Sequence, residues 1–313
     1  MAALHRAPKV MITPAPHRLL ALLLASLLSA PAVAAPDMTE RMVKPSALDP
    51  AVAQFDEPHV IVRPNDARAD APLVLFMPGT GGRPENVVTL LRVVAGQGYP
   101  TIGLEYDDEP AVVQVCPRQR DPDCSANFRR MRVDGTGPGV PGVQNPAAES
   151  ISGRLAALLR ALDKVAPGEG WGRYLDGDRP RWERIVVSGL SQGAGMAAYV
   201  AKTRLVRRVV LFSSPWDFTM PGRRLAPWIA GPSATPPSRW FAEYHRREAT
   251  ADLLAQSYET LKIPSGHILV FDRSLPGTPS SSNPNPFHGS TVRDVGYAPQ
   301  WRTLYGKASD AAD

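Results

Sequence analysis

The sequence predicts an α/β fold, with a mostly parallel central sheet covered by helices on both faces. Three observations carry that prediction. Short apolar, β-branched runs such as Leu73-Val74-Leu75-Phe76-Met77 and Val209-Val210-Leu211-Phe212 read as strands buried on both sides. Between such runs lie stretches with apolar residues at helical spacing, which is the rhythm of parallel strands joined by crossover helices. Finally, Gly189-Leu190-Ser191-Gln192-Gly193 connects the run Ile185-Val186-Val187 to the small-residue stretch Ala194-Gly195-Met196-Ala197-Ala198. That is strand, sharp turn, helix, with a serine at the turn.

Taken in order, the first 34 residues are expected to lie outside the fold. Arg6, Lys9 and Arg18 give a basic start, residues 19–28 an apolar core, and Ala32-Val33-Ala34 a small-x-small cleavage site. This is the pattern of a signal peptide, too short to span a bilayer stably, and it predicts an exported protein, periplasmic or secreted. Met11 offers an alternative start with a leader of more usual length. Those three basic residues account for most of the formal charge of +5, and their removal leaves +2. No Lys/Arg run with interleaved aromatics occurs, so nucleic-acid binding is not expected. The remaining residues, 35–313, suit a single α/β domain with a polar, proline-containing lead-in at 35–50.

Strands are expected at His59-Val60-Ile61-Val62, at Leu73-Val74-Leu75-Phe76-Met77 and at Thr101-Ile102-Gly103-Leu104, with a helix over 86–95 between the last two. Residues 105–146 show no convincing regular element. They hold Cys116 and Cys124, eight positions apart, which in an exported chain predicts a disulfide. A zinc site is disfavoured, because two thiolates without further ligand spacing cannot complete a tetrahedral shell. Residues 147–165 are a helix, with Ile151, Leu155, Leu158, Leu159 and Leu162 on one face and Gly168 beyond its end. The strand before Ser191, a helix to about Lys202 and the strand 209–212 follow. Residues 218–263, rich in Pro and Trp and then helical from about Ser238 to Leu261, read as a lid-like insertion. Ile268-Leu269-Val270-Phe271 is the last strand, a Ser/Pro/Asn loop spans 274–286, and a short helix closes the chain near 299–307.

Glycines two residues either side of Ser191 allow the tight turn that projects Oγ from the sheet end, where the Gln192 N–H points to the same space. A serine hydroxyl is a poor nucleophile until a base takes its proton, and histidine is the base that titrates near neutrality. His288, in a loop after the last strand, returns to the carboxyl edge where the elbow sits. His59, His245 and His267 read as structural. A carboxylate should fix the imidazole tautomer. Asp272, ending the last strand, is the preferred candidate and Asp217 the alternative, with Glu248 and Asp294 more distant. The loop Pro78-Gly79-Thr80-Gly81-Gly82 supplies flexible backbone, and the Thr80 and Gln192 N–H groups are the expected oxyanion donors.

Glycine loop, elbow and late histidine together resemble the α/β-hydrolase superfamily over roughly residues 58–306. More narrowly, Tyr244-His245-Arg246-Arg247-Glu248, Phe287-His288-Gly289-Ser290-Thr291-Val292 and Tyr297-Ala298-Pro299-Gln300-Trp301 are similar to exported bacterial α/β hydrolases of poorly defined activity. The resemblance implies a serine hydrolase that cleaves small-molecule or polymeric carboxylic esters through an acyl-enzyme, with no cofactor and no metal. A peptidase or acyltransferase would use the same groups, and a non-catalytic binding module on this scaffold is the reading from another class.

Overall fold

The computed structural model describes residues 37–220, 222–275 and 285–310. The expected signal peptide and most of the 274–286 loop lie outside the described residues. An eight-stranded sheet forms the centre, built from β1 (Met38–Val43), β2 (His59–Pro64), β3 (Leu73–Met77), β4 (Thr101–Gly103), β5 (Ile185–Leu190), β6 (Arg208–Phe212), β7 (Trp240–His245) and β8 (Ile268–Phe271). Their order across the sheet is β1-β2-β4-β3-β5-β6-β7-β8. β1 and β2 pair antiparallel, β2 pairs antiparallel with β4, and every pair from β4 to β8 is parallel.

The two-residue period of a strand divides the sheet's side chains between two cores. Leu75, Val187 and Leu211 pack with Phe128 of α2 (Cys124–Asp134), Leu155 and Leu159 of α3 (Ile151–Val165) and Met196 of α4 (Gln192–Thr203). Val74, Phe76, Val186 and Val210 face the other way, against Leu90, Leu91 and Val94 of α1 (Val88–Ala95). Trp301 and Leu304 of α7 (Ala298–Tyr305) complete that face. All five residues of β3 are fully buried, each such large side chain contributing about 1.5–3 kcal/mol. α3 starts where Ser150 Oγ accepts from Gly153 N at 3.1 Å, a conventional N-cap.

Besides the loop expected around His288, which is helical over Pro286–Arg293, three segments differ from the sequence expectation. The lead-in carries β1, whose Glu40 and Arg41 mark an edge strand that alternation on one face alone does not reveal. Residues 105–146 contain α2, whose inward side chains include Arg129 and Arg132, each almost wholly buried. Hydrophobic periodicity cannot see a helix that turns arginines to the core. Most consequentially, residues 240–245 are not helical. Trp240, Ala242 and Glu243 are buried in β7, between β6 and β8. The glutamate interrupts what would otherwise read as an apolar strand. The helix begins only at α5 (Ala251–Thr260), so the second half of the expected lid belongs to the sheet. What remains outside it is a small hairpin, Phe218–Thr219 with Arg224–Leu225, and the helical turn Pro227–Ala230.

Candidate active site

Ser191 sits between β5 and α4 with φ 53° and ψ −116°, a region that costs of order 1–3 kcal/mol for a residue with a side chain. Both flanking glycines are required by space. A Cβ on Gly189 would lie 2.5 Å from Met77 O, and one on Gly193 would overlap the same carbonyl group. Ser191 N donates to Phe212 O at 2.8 Å and Ser191 O accepts from Gly195 N at 2.9 Å, so β6 and α4 hold the turn from either side. The strand behind it is fully buried while Ser191 is partly exposed.

The loop after β3 lies directly against this serine: a Cβ on Gly79 would come within 3.1 Å of Ser191 Cβ. Gly82 N donates to Gly79 O at 2.8 Å, and the Tyr106 hydroxyl donates to Pro78 O at 2.9 Å. Asp108, 3% exposed, accepts backbone N–H groups of Gly81 and Gly82; burial nonetheless pushes its carboxyl up to about 7. Gln192 opens α4, and its carboxamide is fixed by Val112 N (3.2 Å) and Pro110 O (3.3 Å). Thr80, Ser191 and Gln192 wall one small cavity of about 20 Å³. The structure therefore brings these three expected residues together.

His288 lies in α6 (Pro286–Arg293), and its Nδ1 meets Glu248 Oε2 at 2.7 Å. Glu248 follows β7 and its side chain is shut off from solvent. Its Oε1 accepts from Ser213 Oγ at 2.5 Å and from His245 N at 2.9 Å. Burial pushes this carboxyl up, but the His288 hydrogen bond and charge, with Ser213 and the His245 N–H, outweigh it and hold it below the usual value. In the neutral imidazole, an Nδ1–H donated to this carboxylate leaves the lone pair on Nε2. Ser191, Ser213 and Glu248 thus follow three successive strands, β5, β6 and β7, at one edge of the sheet.

Neither aspartate preferred from the sequence touches this histidine's Nδ1. Asp272 is exposed beyond the end of β8. Asp217 is buried but engaged by Arg129, with Nε at 2.7 Å and Nη2 at 2.5 Å, and by Trp228 Nε1 at 2.9 Å. Asp294 pairs with Arg273 at 3.3 Å. Because 240–245 is a strand, Glu248 stands at the sheet edge, three residues past that strand's last residue.

The other histidines are engaged structurally. His245 accepts from Arg247 N at Nδ1 (3.0 Å), faces Arg273 O through Nε2 (2.9 Å), and stacks on Phe287 beside His288 with ring centres 4.4 Å apart. His267 stacks on Phe241, and burial drives His59 down to about 3.

The eight-strand order, with a strained serine after the fifth strand and a carboxylate after the seventh, decides the architecture. The chain has the α/β-hydrolase fold. No protein-family model and no curated protein matches it. Among solved structures it is similar to a putative dienelactone hydrolase from Klebsiella pneumoniae, at 15% identity and a TM-score of 0.43, covering 86% of this chain and 98% of that one. A dienelactone hydrolase-like promiscuous phosphotriesterase from metagenomic libraries gives 13%, 0.45, 85% and 97%. A hormone-sensitive lipase from a metagenome library gives 14%, 0.41, 87% and 86%.

Within this α/β-hydrolase fold, Cys116 and Cys124 are joined, with Cα atoms 5.5 Å apart, and the bridge staples the segment between Val112 and α2. Among the described residues no group of three or more His, Cys, Asp or Glu is placed to hold a metal ion. No helix among them is long and apolar enough to cross a membrane.

Proposed function

We propose that this chain is an exported serine hydrolase acting on carboxylic esters, with Ser191 as nucleophile, His288 as base and Glu248, in place of Asp272, as the acid. The observation that carries the reading is the pairing of a strained elbow serine with a His288–Glu248 contact at the same sheet edge. Ser191 Oγ attacks the ester carbonyl carbon while His288 Nε2 takes its proton. Glu248 stabilises the resulting imidazolium and holds its tautomer. The negative charge on the carbonyl oxygen is met by the Thr80 and Gln192 N–H groups, the latter at a helix N-terminus. Collapse expels the alcohol, which takes the proton back from His288. Water, activated by the same nitrogen, then releases the acid from Ser191. The basic-apolar leader and the disulfide support export.

Turnover of p-nitrophenyl acetate by the mature chain tests this. Wild type hydrolyses the ester, whereas Ser191→Ala and His288→Ala each lose at least about a thousandfold in kcat. Undiminished turnover in Ser191→Ala would refute the proposal.

A further inference from the structure

The cavity beside Ser191 also limits what the serine can carry. Its volume is about 20 Å³, little more than the ~10–15 Å³ that one water occupies on this measure. Beyond Thr80 and Gln192 it is lined by Val112, Val113, Ser214 and Trp216 and by the Arg129–Asp217 pair. His288 is not part of that lining. An ester's alcohol must leave where His288 can protonate it, so this small cavity, which His288 does not line, receives the acyl substituent. Resting on the serine-hydrolase reading, we infer that the substrates are esters of two- or three-carbon acids, with the alcohol portion unrestricted by this cavity.

The wall is braced against yielding to a longer chain. Val112 N is tied to Gln192 Oε1 at 3.2 Å, and the Cys116–Cys124 bridge closes the segment that follows. Met220 N donates to Pro117 O at 2.8 Å, joining the hairpin to that bridge. Trp216 stacks on Phe218 with ring planes 16° apart. Ala226 N donates to Asp217 O at 2.8 Å, while Asp217 is fixed by Arg129 and Trp228. A longer acyl tail would have to spread this frame or press apolar atoms onto a buried ion pair, which gains nothing in return. Trp216 and Val113, partly exposed at the rim, are the residues that set the length.

The test is kcat/KM for p-nitrophenyl esters from acetyl to octanoyl, measured on wild type, Trp216→Ala and Val113→Ala. Wild type should favour acetyl or propionyl and fall at least about tenfold by butyryl, since one methylene in a fitted pocket is worth about 10–200-fold. Trp216→Ala should raise hexanoyl relative to acetyl by about tenfold or more, and Val113→Ala should do the same for butyryl. Should Trp216→Ala fail to fold, Val113→Ala alone decides. Ester turnover that depends on Ser191 but peaks at hexanoyl or longer, or folded variants with the wild-type profile, would overturn the chain-length inference alone. No turnover of any ester, acetyl included, would overturn the hydrolase reading along with it.

Discussion

Replacing Glu248 with glutamine removes one charge while keeping shape, and its effect follows from the contacts of that carboxylate. In the wild type, Oε2 receives Nδ1 of His288 at 2.7 Å, and Oε1 receives Ser213 Oγ and His245 N. The glutamine amide can satisfy Ser213 and the backbone with its oxygen, which then turns its NH₂ toward His288. That NH₂ donates rather than accepts, so the imidazole is driven to carry its proton on Nε2, where it can no longer take the serine's. The charge that would stabilise the imidazolium is also gone. A carboxylate-to-amide change of this kind costs about 10⁴ in kcat, equivalent to about 5.5 kcal/mol of transition-state stabilisation. Asp272→Asn, on an exposed side chain, should stay within about twofold of wild type. The assay is p-nitrophenyl acetate turnover near pH 7.5, with a thermal melt confirming that both variants fold. A larger loss in Asp272→Asn than in Glu248→Gln would refute the reasoning and return the acid's role to Asp272.

Two further outcomes follow from the same geometry. Gly193→Ala places a Cβ into the Met77 carbonyl group, a backbone clash that no side chain can relieve, so it should cost about 3 kcal/mol and lower Tm by roughly 6–12 °C. A melt within a degree of wild type would contradict the close approach of elbow and β3. Burial, with the Asp108 charge, pushes Glu105 from 4.5 up to about 8. Because the folded protein holds this proton more tightly than the unfolded chain, stability should fall as pH rises from about 4.5 to about 8, by up to about 5 kcal/mol. Glu105→Gln should therefore melt above wild type at pH 9 and level with it near pH 4, and a lower melt at pH 9 would show that the charged carboxylate is welcome in the fold.

Much of the proposed site was legible because its chemistry constrains local sequence. A serine forced to positive φ needs small neighbours, so Gly189 and Gly193 announce it, and Gly79 marks the loop pressed against it. His288 stood out because it follows the last strand. Glu248, the proposed acid, did not, for a reason rooted in β7. Its sequence, Trp240-Phe241-Ala242-Glu243-Tyr244-His245, places a fully buried glutamate inside a sheet. A helix read over 238–261 removes Glu248 from the sheet edge and leaves Asp272 there, whereas the strand Trp240–His245 places Glu248 at that edge. The helix α2 was hidden likewise: Arg129, spent on Asp217 and on the Gln192 carbonyl (Nη1, 3.4 Å), is core by partnership rather than by hydrophobicity. Charged residues buried in pairs are invisible to patterning, which registers only apolar faces.

The central claim is that Ser191 is a nucleophile activated in place, and covalent capture tests it most directly. The mature protein, treated with a fluorophosphonate and analysed by intact mass and peptide mapping, should gain one phosphonyl group, on Ser191. Glu248→Gln should gain it far more slowly and Ser191→Ala not at all. No adduct on folded wild type, or equal labelling of Ser191→Ala, would contradict the account.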